Sequence, residues 1–160
     1  MIDINNIKEY AIERPEGLTC LGTAEDFDNI SDEFKDQIIF INEAAADYLY
    51  GDLKSANFIT GSLWEPFKES NFKSVEKLME VDDEKKLKKW LYERGIPFSK
   101  WVFLLPNYGH GPMTLTWKMV VKNARSIFWS DDIILFDETN QWCLCYWHEE
   151  EMFYGSMNRF

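Results

Sequence analysis

The sequence predicts an α+β fold in which N-terminal helices pack on a small C-terminal antiparallel sheet. Capped helical patterns occur mainly before residue 129, whereas short apolar runs separated by turn residues occupy the last part of the chain. Hydrophobic residues make up 46% of the 160 residues, which is enough for a packed core. No repeat or linker-like stretch is present, so we expect residues 1–160 to form one domain.

The first helical signal follows a stretch that is hard to assign. Residues 1–30 contain short apolar pieces between proline and glycine residues. An exposed acidic loop is predicted at Glu25, Asp26 and Asp28. Ser31 then resembles a helix N-cap, because Asp32 and Glu33 place carboxylates near the positive end of the helix dipole.

Two further helices are predicted in the first half of the chain. The segment Asn42–Tyr50 has an asparagine cap and an alanine run, and Gly51 follows it as a stop signal. Ser74–Glu80 is a candidate for a short helix.

Two amphipathic helices come next. Asp82 caps a helix whose apolar residues share one face, and Gly95 and Pro97 end it. Thr116 caps the best-defined helix, Trp117–Phe128, because apolar residues recur there at helical spacing and form one stripe.

The predicted strands are short and rich in aromatic and β-branched residues. Trp101–Leu105 is a buried-strand candidate. Ile133–Phe136 and Trp142–Trp147 form a predicted antiparallel hairpin, and Met152–Tyr154 adds a third strand.

Charge is distributed unevenly along the chain. The net charge is -11, and residues 1–52, 53–125 and 126–160 carry -10, +5 and -6. This balance disfavours nucleic acid and anionic membranes as partners, because both are polyanions. We expect the lysines of residues 85–89 to shield their own helix and to pair with acids of the first segment. If the two acidic segments share one face, their field would attract a basic macromolecule.

The compartment is predicted from two features. The longest apolar stretch, Trp101–Leu105, is far shorter than a membrane-spanning helix, and the acidic N-terminus lacks a signal-peptide pattern. Three cysteines, an odd number, fit a reducing compartment better than a disulfide framework. We therefore expect a cytoplasmic protein.

No metal or cofactor site is expected. Cys143 and Cys145 share a face of a predicted strand, but two thiolates are only half of a zinc site. Cys20, His110 and His148 lack the spacing to complete it. Buried cysteines acting as small hydrophobic residues are the simpler interpretation.

A catalytic interpretation stays open as the alternative, with no catalytic residue assigned. A small hydrolase or metal-dependent enzyme would use His110 or His148 as a base with Cys143 or Cys145. His110 stands between two glycines, as in many functional loops and many ordinary turns. The sequence contains no phosphate-binding glycine loop, GxSxG or HExxH motif, which disfavours an enzyme.

Carboxylates next to aromatic residues are typical of surfaces that bind basic proteins, because aromatic side chains anchor the contact and charge accelerates encounter. The alternative is a solvated turn beside core aromatics. The predicted partner-binding residues are Glu25, Asp26, Asp28, Asp32, Glu33, Asp36, Trp147, Glu149, Glu150 and Glu151.

Three stretches carry a resemblance. Ile30–Glu33 with its helix, Trp117–Phe128, and the hairpin region 131–154 are similar to a family of small bacterial proteins of unknown function. In size, acidity and aromatic content the chain also resembles immunity proteins encoded beside bacterial toxins, including those of contact-dependent growth inhibition. That resemblance implies an inhibitor of a basic nuclease toxin and carries over no individual residue.

Overall fold

The computed structural model describes residues 3–59, 68–106, 111–129 and 132–158. Its helices begin with a 3-10 helix, Ile4–Tyr10, and a second 3-10 turn lies at Glu69–Asn71. The α-helices are α1 (Ala24–Asp28), α2 (Asp32–Lys35), α3 (Glu43–Ser55), α4 (Glu84–Tyr92), α5 (Trp117–Lys122) and α6 (Ala124–Ile127). The strands are β1 (Ile38–Phe40), β2 (Ser74–Leu78), β3 (Trp101–Pro106), β4 (Met113–Thr116), β5 (Ile133–Phe136), β6 (Trp142–Trp147) and β7 (Glu151–Ser156).

The strands form one antiparallel sheet in the order β1-β4-β3-β5-β6-β7-β2, which confirms the α+β class. The predicted β5–β6 hairpin and the third strand β7 are confirmed, with Phe136 paired to Cys143 and Leu144 paired to Tyr154. The sheet is larger than the sequence predicts, because β1 and β2 come from the first half of the chain and form its two edges.

Both faces of the sheet are covered by helices. Side chains such as Leu104, Leu135 and Leu144 belong to one buried cluster with α4, α5 and α6, on the side called here the front face. The alternate residues Phe103 and Phe136 belong to a second cluster with α3, on the back face. The central strands β3, β4 and β5 are therefore buried almost without interruption, as expected for a sheet between two helical layers.

The N-terminal helices differ in part from the prediction. The acidic stretch predicted as a loop contains helix α1, because Thr23 and Asp26 form a reciprocal capping box. The predicted starts at Asp32 and after the Asn42 cap are confirmed. Helix α3 continues past the predicted stop at Gly51, because the following turn buries Leu53 completely.

The prediction of a helix at Ser74–Glu80 is wrong. The segment Ser74–Leu78 is strand β2, and all five of its residues pair with β7. Its sequence alternates weakly between apolar and charged residues, and only pairing with β7 selects the extended conformation.

The other differences concern helix ends. Asp83, not Asp82, caps α4, since its carboxylate accepts a hydrogen bond from the Lys86 amide. The helix predicted over Trp117–Phe128 breaks at Asn123, whose side chain donates to the Met119 carbonyl at 2.9 Å and competes with the backbone.

Among the helices that the structure describes, none combines the length and apolar character needed to cross a membrane.

Arg94 fastens α4 to the β2 edge of the sheet. Its guanidinium forms an ion pair with Glu76 of β2 at 2.5 Å, and its Nε donates to the Trp90 carbonyl at 2.9 Å. The same group lies over the rings of Trp90 and Tyr154, with centroid distances of 4.4 and 5.2 Å. Only 4% of the Arg94 side chain is exposed, so solvent screens these contacts weakly.

We predict that Arg94→Ala lowers the free energy of unfolding by about 2–4 kcal/mol, because it removes buried packing and leaves the Trp90 carbonyl without its donor. Urea denaturation measures the change. The matched control is Lys89→Ala on α4, where the side chain is 77% exposed, and a loss of no more than about 0.5 kcal/mol is expected there. Equal losses for the two variants would contradict this role of Arg94.

Candidate functional site

The predicted binding residues of the N-terminal segment lie on α1, on α2 and just after it. We call this region the N-terminal acidic helices; its acids are Glu25, Asp26, Asp28, Asp32, Glu33 and Asp36, and all are exposed. Phe27 packs edge-on against Phe40 of β1, with ring centroids 5.6 Å apart. The ammonium groups of Lys118 and Lys122 on α5 lie 5.0 and 4.6 Å from the Phe34 ring. The aromatic residues thus face the front cluster and leave the acids in solvent.

Few of these acids are neutralised locally. Asp26 is used as a cap, accepting hydrogen bonds from the Thr23 amide at 2.7 Å and the Thr23 hydroxyl at 2.8 Å. These bonds lower the pKa of the Asp26 carboxyl. Asp32 lies 3.7 Å from Lys35. The other four acids form no ion pair within the described ranges, so their charge is available to a partner.

The second group lies between β6 and β7. We call residues Trp147–Glu151 the C-terminal acidic turn. Glu149 and Glu150 are exposed, whereas Trp147 and Glu151 are half-buried and pair across the two strands. Glu150 has a φ of 62°, which reverses the chain tightly and holds the carboxylates at the tip.

His148 in this turn is oriented by Asp132, a residue that the sequence analysis does not select. One Asp132 carboxylate oxygen accepts from the His148 amide at 2.8 Å and lies 3.0 Å from Nδ1. On the other side of the ring, Nε2 lies 3.6 Å from a carboxylate oxygen of Glu149. The predicted hairpin indicates this contact. Asp132 directly precedes Ile133, and Ile133 pairs with Tyr146, two residues before His148.

Trp129 is the second residue missed by the sequence analysis. It follows α6 and is 62% exposed, although tryptophan side chains are highly buried on average. The Tyr146 hydroxyl donates to the Trp129 carbonyl at 3.1 Å. Burial raises the pKa of Tyr146, and the charge of Glu150 raises it further. Tyr146 therefore connects the main chain at Trp129 to β6, the strand that leads into the C-terminal acidic turn.

The two acidic groups lie at separate places on the molecule. Phe27 attaches the N-terminal acidic helices to β1, the first strand of the sheet, whereas β6 is the fifth. At about 4.8 Å per strand this is a separation of roughly 19 Å, more than two Debye lengths at physiological salt. Moreover, β1 and β6 run in the same direction, while α2 precedes the start of β1 and the turn follows the end of β6. The sequence leaves open whether the two acidic segments share one face, and in the structure they form two surfaces.

The lysines of α4 do not neutralise either group. Lys86 pairs with Glu80, Lys88 with Glu84 at 2.7 Å and Lys89 with Glu93 at 3.8 Å, all within or beside the same helix. The expected shielding of their own helix is therefore present. The expected pairing with the N-terminal acids is wrong, because acids four to six residues away in the chain supply closer partners.

The candidate nucleophiles are inaccessible. Cys143 and Cys145 are fully buried on the back face. Burial raises the pKa of both thiols, and for Cys145 the nearby Asp132 carboxylate acts in the same direction. A reactive cysteine needs the opposite environment, since the thiolate is the attacking species. His110 lies outside the described residues, and no metal-binding cluster occurs among those that are described.

We predict that the buried thiols do not react with a thiol reagent in the native protein. At pH 7 the native protein should release at most one equivalent of thionitrobenzoate, from half-buried Cys20, and the denatured protein three. Two or more rapidly reacting thiols in the native state would contradict the burial described here.

We predict that Asp26→Asn destabilises the protein at pH 7 and that this destabilisation becomes smaller as the pH falls towards 3. The pKa of Asp26 is lowered in the folded state, so the stabilisation is present above the unfolded value near 3.8 and is lost as the pH falls through the folded value. Thermal unfolding from pH 7 to pH 3 measures this convergence. Asp28→Asn, on the same helix without a cap contact, is the control and should show no such convergence.

Comparison with known proteins gives no assignment, because no protein-family model and no curated protein matches the chain. The functional argument consequently starts from the chemistry of the two acidic surfaces and of Trp129.

Proposed function

We propose that this chain is an acidic cytoplasmic binding protein that neutralises a basic protein partner, and that the partner is a nuclease toxin for which the chain is the bacterial immunity protein. The observation that carries the proposal is the exposed indole of Trp129 beside the C-terminal acidic turn. The chain resembles immunity proteins in size, acidity and aromatic content, and this resemblance supports the choice of a nuclease toxin as the partner.

The binding surface combines the two elements that protein interfaces use. Trp129 offers a large apolar area at its 62% exposed side chain, and tryptophan is enriched among residues that dominate binding energy. Glu149 and Glu150 are exposed in the C-terminal acidic turn and add negative charge, which accelerates encounter with a cationic surface. The Arg125 guanidinium lies 4.5 Å from the centroid of the Trp129 ring, and the rest of the indole is open to a partner. His148 is fixed by Asp132, so the turn is organised before binding.

Inhibition in this proposal comes from occlusion. A nuclease binds the phosphates of its substrate with lysine and arginine side chains, and carboxylates at the tip of the turn would occupy those side chains in place of phosphate. The net charge of -11 steers the partner from a distance, and the N-terminal acidic helices form a second, separate contact or steering surface. The same charge disfavours direct binding to nucleic acid or to anionic membranes.

The experiment is co-purification with the product of the neighbouring gene, followed by affinity measurement at several salt concentrations. We predict that affinity falls by about tenfold or more as salt rises from about 50 to about 500 mM, because the encounter is electrostatic. Absence of binding, or an affinity that does not depend on ionic strength, contradicts the proposal.

We predict that two variants of the surface weaken the complex by about tenfold or more: the double reversal Glu149→Lys with Glu150→Lys, and Trp129→Ala. The matched control is Asp47→Lys with Asp82→Lys, which changes the net charge equally at exposed positions outside both acidic surfaces. The control should keep most of the affinity. Equal weakening by both double reversals would show that net charge alone acts, and not this surface.

A second candidate function is a small hydrolase, and the contact between Asp132 and His148 favours it, because a carboxylate on Nδ1 orients a catalytic base. The buried cysteines give this candidate no nucleophile. Assays on generic esters and phosphodiesters decide: turnover that falls at least about a hundredfold in His148→Ala favours the hydrolase. Turnover unchanged by that substitution excludes His148 as the base.

A further inference from the structure

A groove whose lining includes no residue of either acidic surface runs along Trp101, the first residue of β3. It has two lobes of about 340 and 290 Å³, and Trp101 and Glu138 line both. The first lobe is bounded by Pro97 and Lys100, and the second by Lys8 and other residues of the 3-10 helix and of β3 and β4. A half-buried indole and an exposed carboxylate therefore line both lobes of the groove.

The indole of Trp101 already holds a cation from the same chain. The ammonium of Lys8 lies 3.7 Å from the ring centroid, well within the range of a cation–π contact. Within the described ranges Lys8 forms no ion pair, and Glu138 is paired instead with Lys100 at 2.5 Å. Lys8 thus contacts the Trp101 ring, whereas the Glu138 carboxylate is paired with Lys100.

The carboxylate of Glu138 is held in position. The Lys100 ammonium also lies 3.6 Å from the buried carboxylate of Asp137, which accepts a hydrogen bond from the Trp142 indole at 2.9 Å. These contacts anchor Lys100, and the hydrogen bond to Glu138 raises the pKa of its ammonium. Anchoring fixes Glu138 beside the indole and reduces the entropy that a ligand must overcome.

We infer that the Trp101 groove is a binding site for an arginine side chain of the basic partner, and that Lys8 occupies it in the free protein. A guanidinium is flat, stacks on indole, and can donate two hydrogen bonds to a carboxylate at the same time. It could therefore stack on Trp101 and donate to Oε2 of Glu138 while Lys100 keeps its hydrogen bond to Oε1, whereas the single ammonium of Lys8 contacts the ring alone. The choice of partner rests on the proposed function, but the chemistry of the site does not.

The test needs no partner protein. The probe is N-acetyl-arginine methylamide, with N-acetyl-citrulline methylamide as an uncharged analogue of the same shape, both at constant ionic strength. The indole N–H signals of ¹⁵N-labelled protein are followed by NMR, and Trp101→Phe assigns the Trp101 signal. We predict a saturable shift of the Trp101 signal with the arginine derivative, at a dissociation constant on the order of millimolar, and little shift with the citrulline derivative.

Two variants test the roles of the neighbouring side chains. Lys8→Met keeps the apolar stem and removes the competing ammonium, so affinity for the arginine derivative should rise about three- to tenfold. Glu138→Gln should lower it by a similar factor. Lys85→Met changes the net charge as Lys8→Met does, at an exposed position on α4, and should leave the affinity unchanged. The other tryptophan signals report whether each variant is folded.

The outcomes separate this inference from the proposed function. Equal shifts with arginine and citrulline, or an affinity unchanged by Lys8→Met in a folded protein, overturn the Trp101 assignment and leave the acidic-turn experiments as they stand. Arginine binding at Trp101 with the predicted response to Lys8→Met supports the site, even if charge reversal at Glu149 and Glu150 has no effect on the partner and the proposed function fails.

Discussion

Burial of the sheet on both faces is the constraint on which the rest of the structure depends. Consecutive residues of the same strand, such as Leu104 and Leu105, belong to two different buried clusters, one on each face. Neither face can carry charge without a large desolvation cost, so charged side chains are confined to helix surfaces, strand ends and sheet edges. Strands in the middle of the sheet become continuously apolar, and the helices on each side supply the remaining apolar surface.

This constraint explains why the acidic residues form two surfaces. Strands β4, β3 and β5 lie between the two surfaces, and the helices of the front layer cover these strands. The C-terminal acidic turn is supported by β6 and β7, which pair with each other over six residues. The N-terminal acidic helices are attached through the side chains of Phe27 and Phe34. A partner that meets both surfaces must therefore extend over the edge and end of the molecule, and a smaller partner contacts one of them.

Local features of the fold could be predicted from the sequence, and features set by distant contacts could not. The hairpin Ile133–Trp147 and the Asn42 cap depend on neighbours within a few residues, and both are confirmed. Strand β2 depends on pairing with β7, more than seventy residues away in the chain. The same limit applies to the site. Glu149 and Glu150 are visible as an acidic run, but Trp129 is brought near them through its contact with Tyr146, and Asp132 through the folded hairpin.

The contact between Arg94 and Glu76 has a consequence for association between copies of this chain. Strand β2 is an outermost strand of the sheet, and exposed edges of this kind tend to recruit further strands and to seed fibrillar aggregates. Glu76 and Lys77 place charge along that edge, and Arg94 fixes the glutamate there from the helical layer. The polar composition that conceals β2 from sequence analysis therefore also protects the protein from unwanted polymerisation.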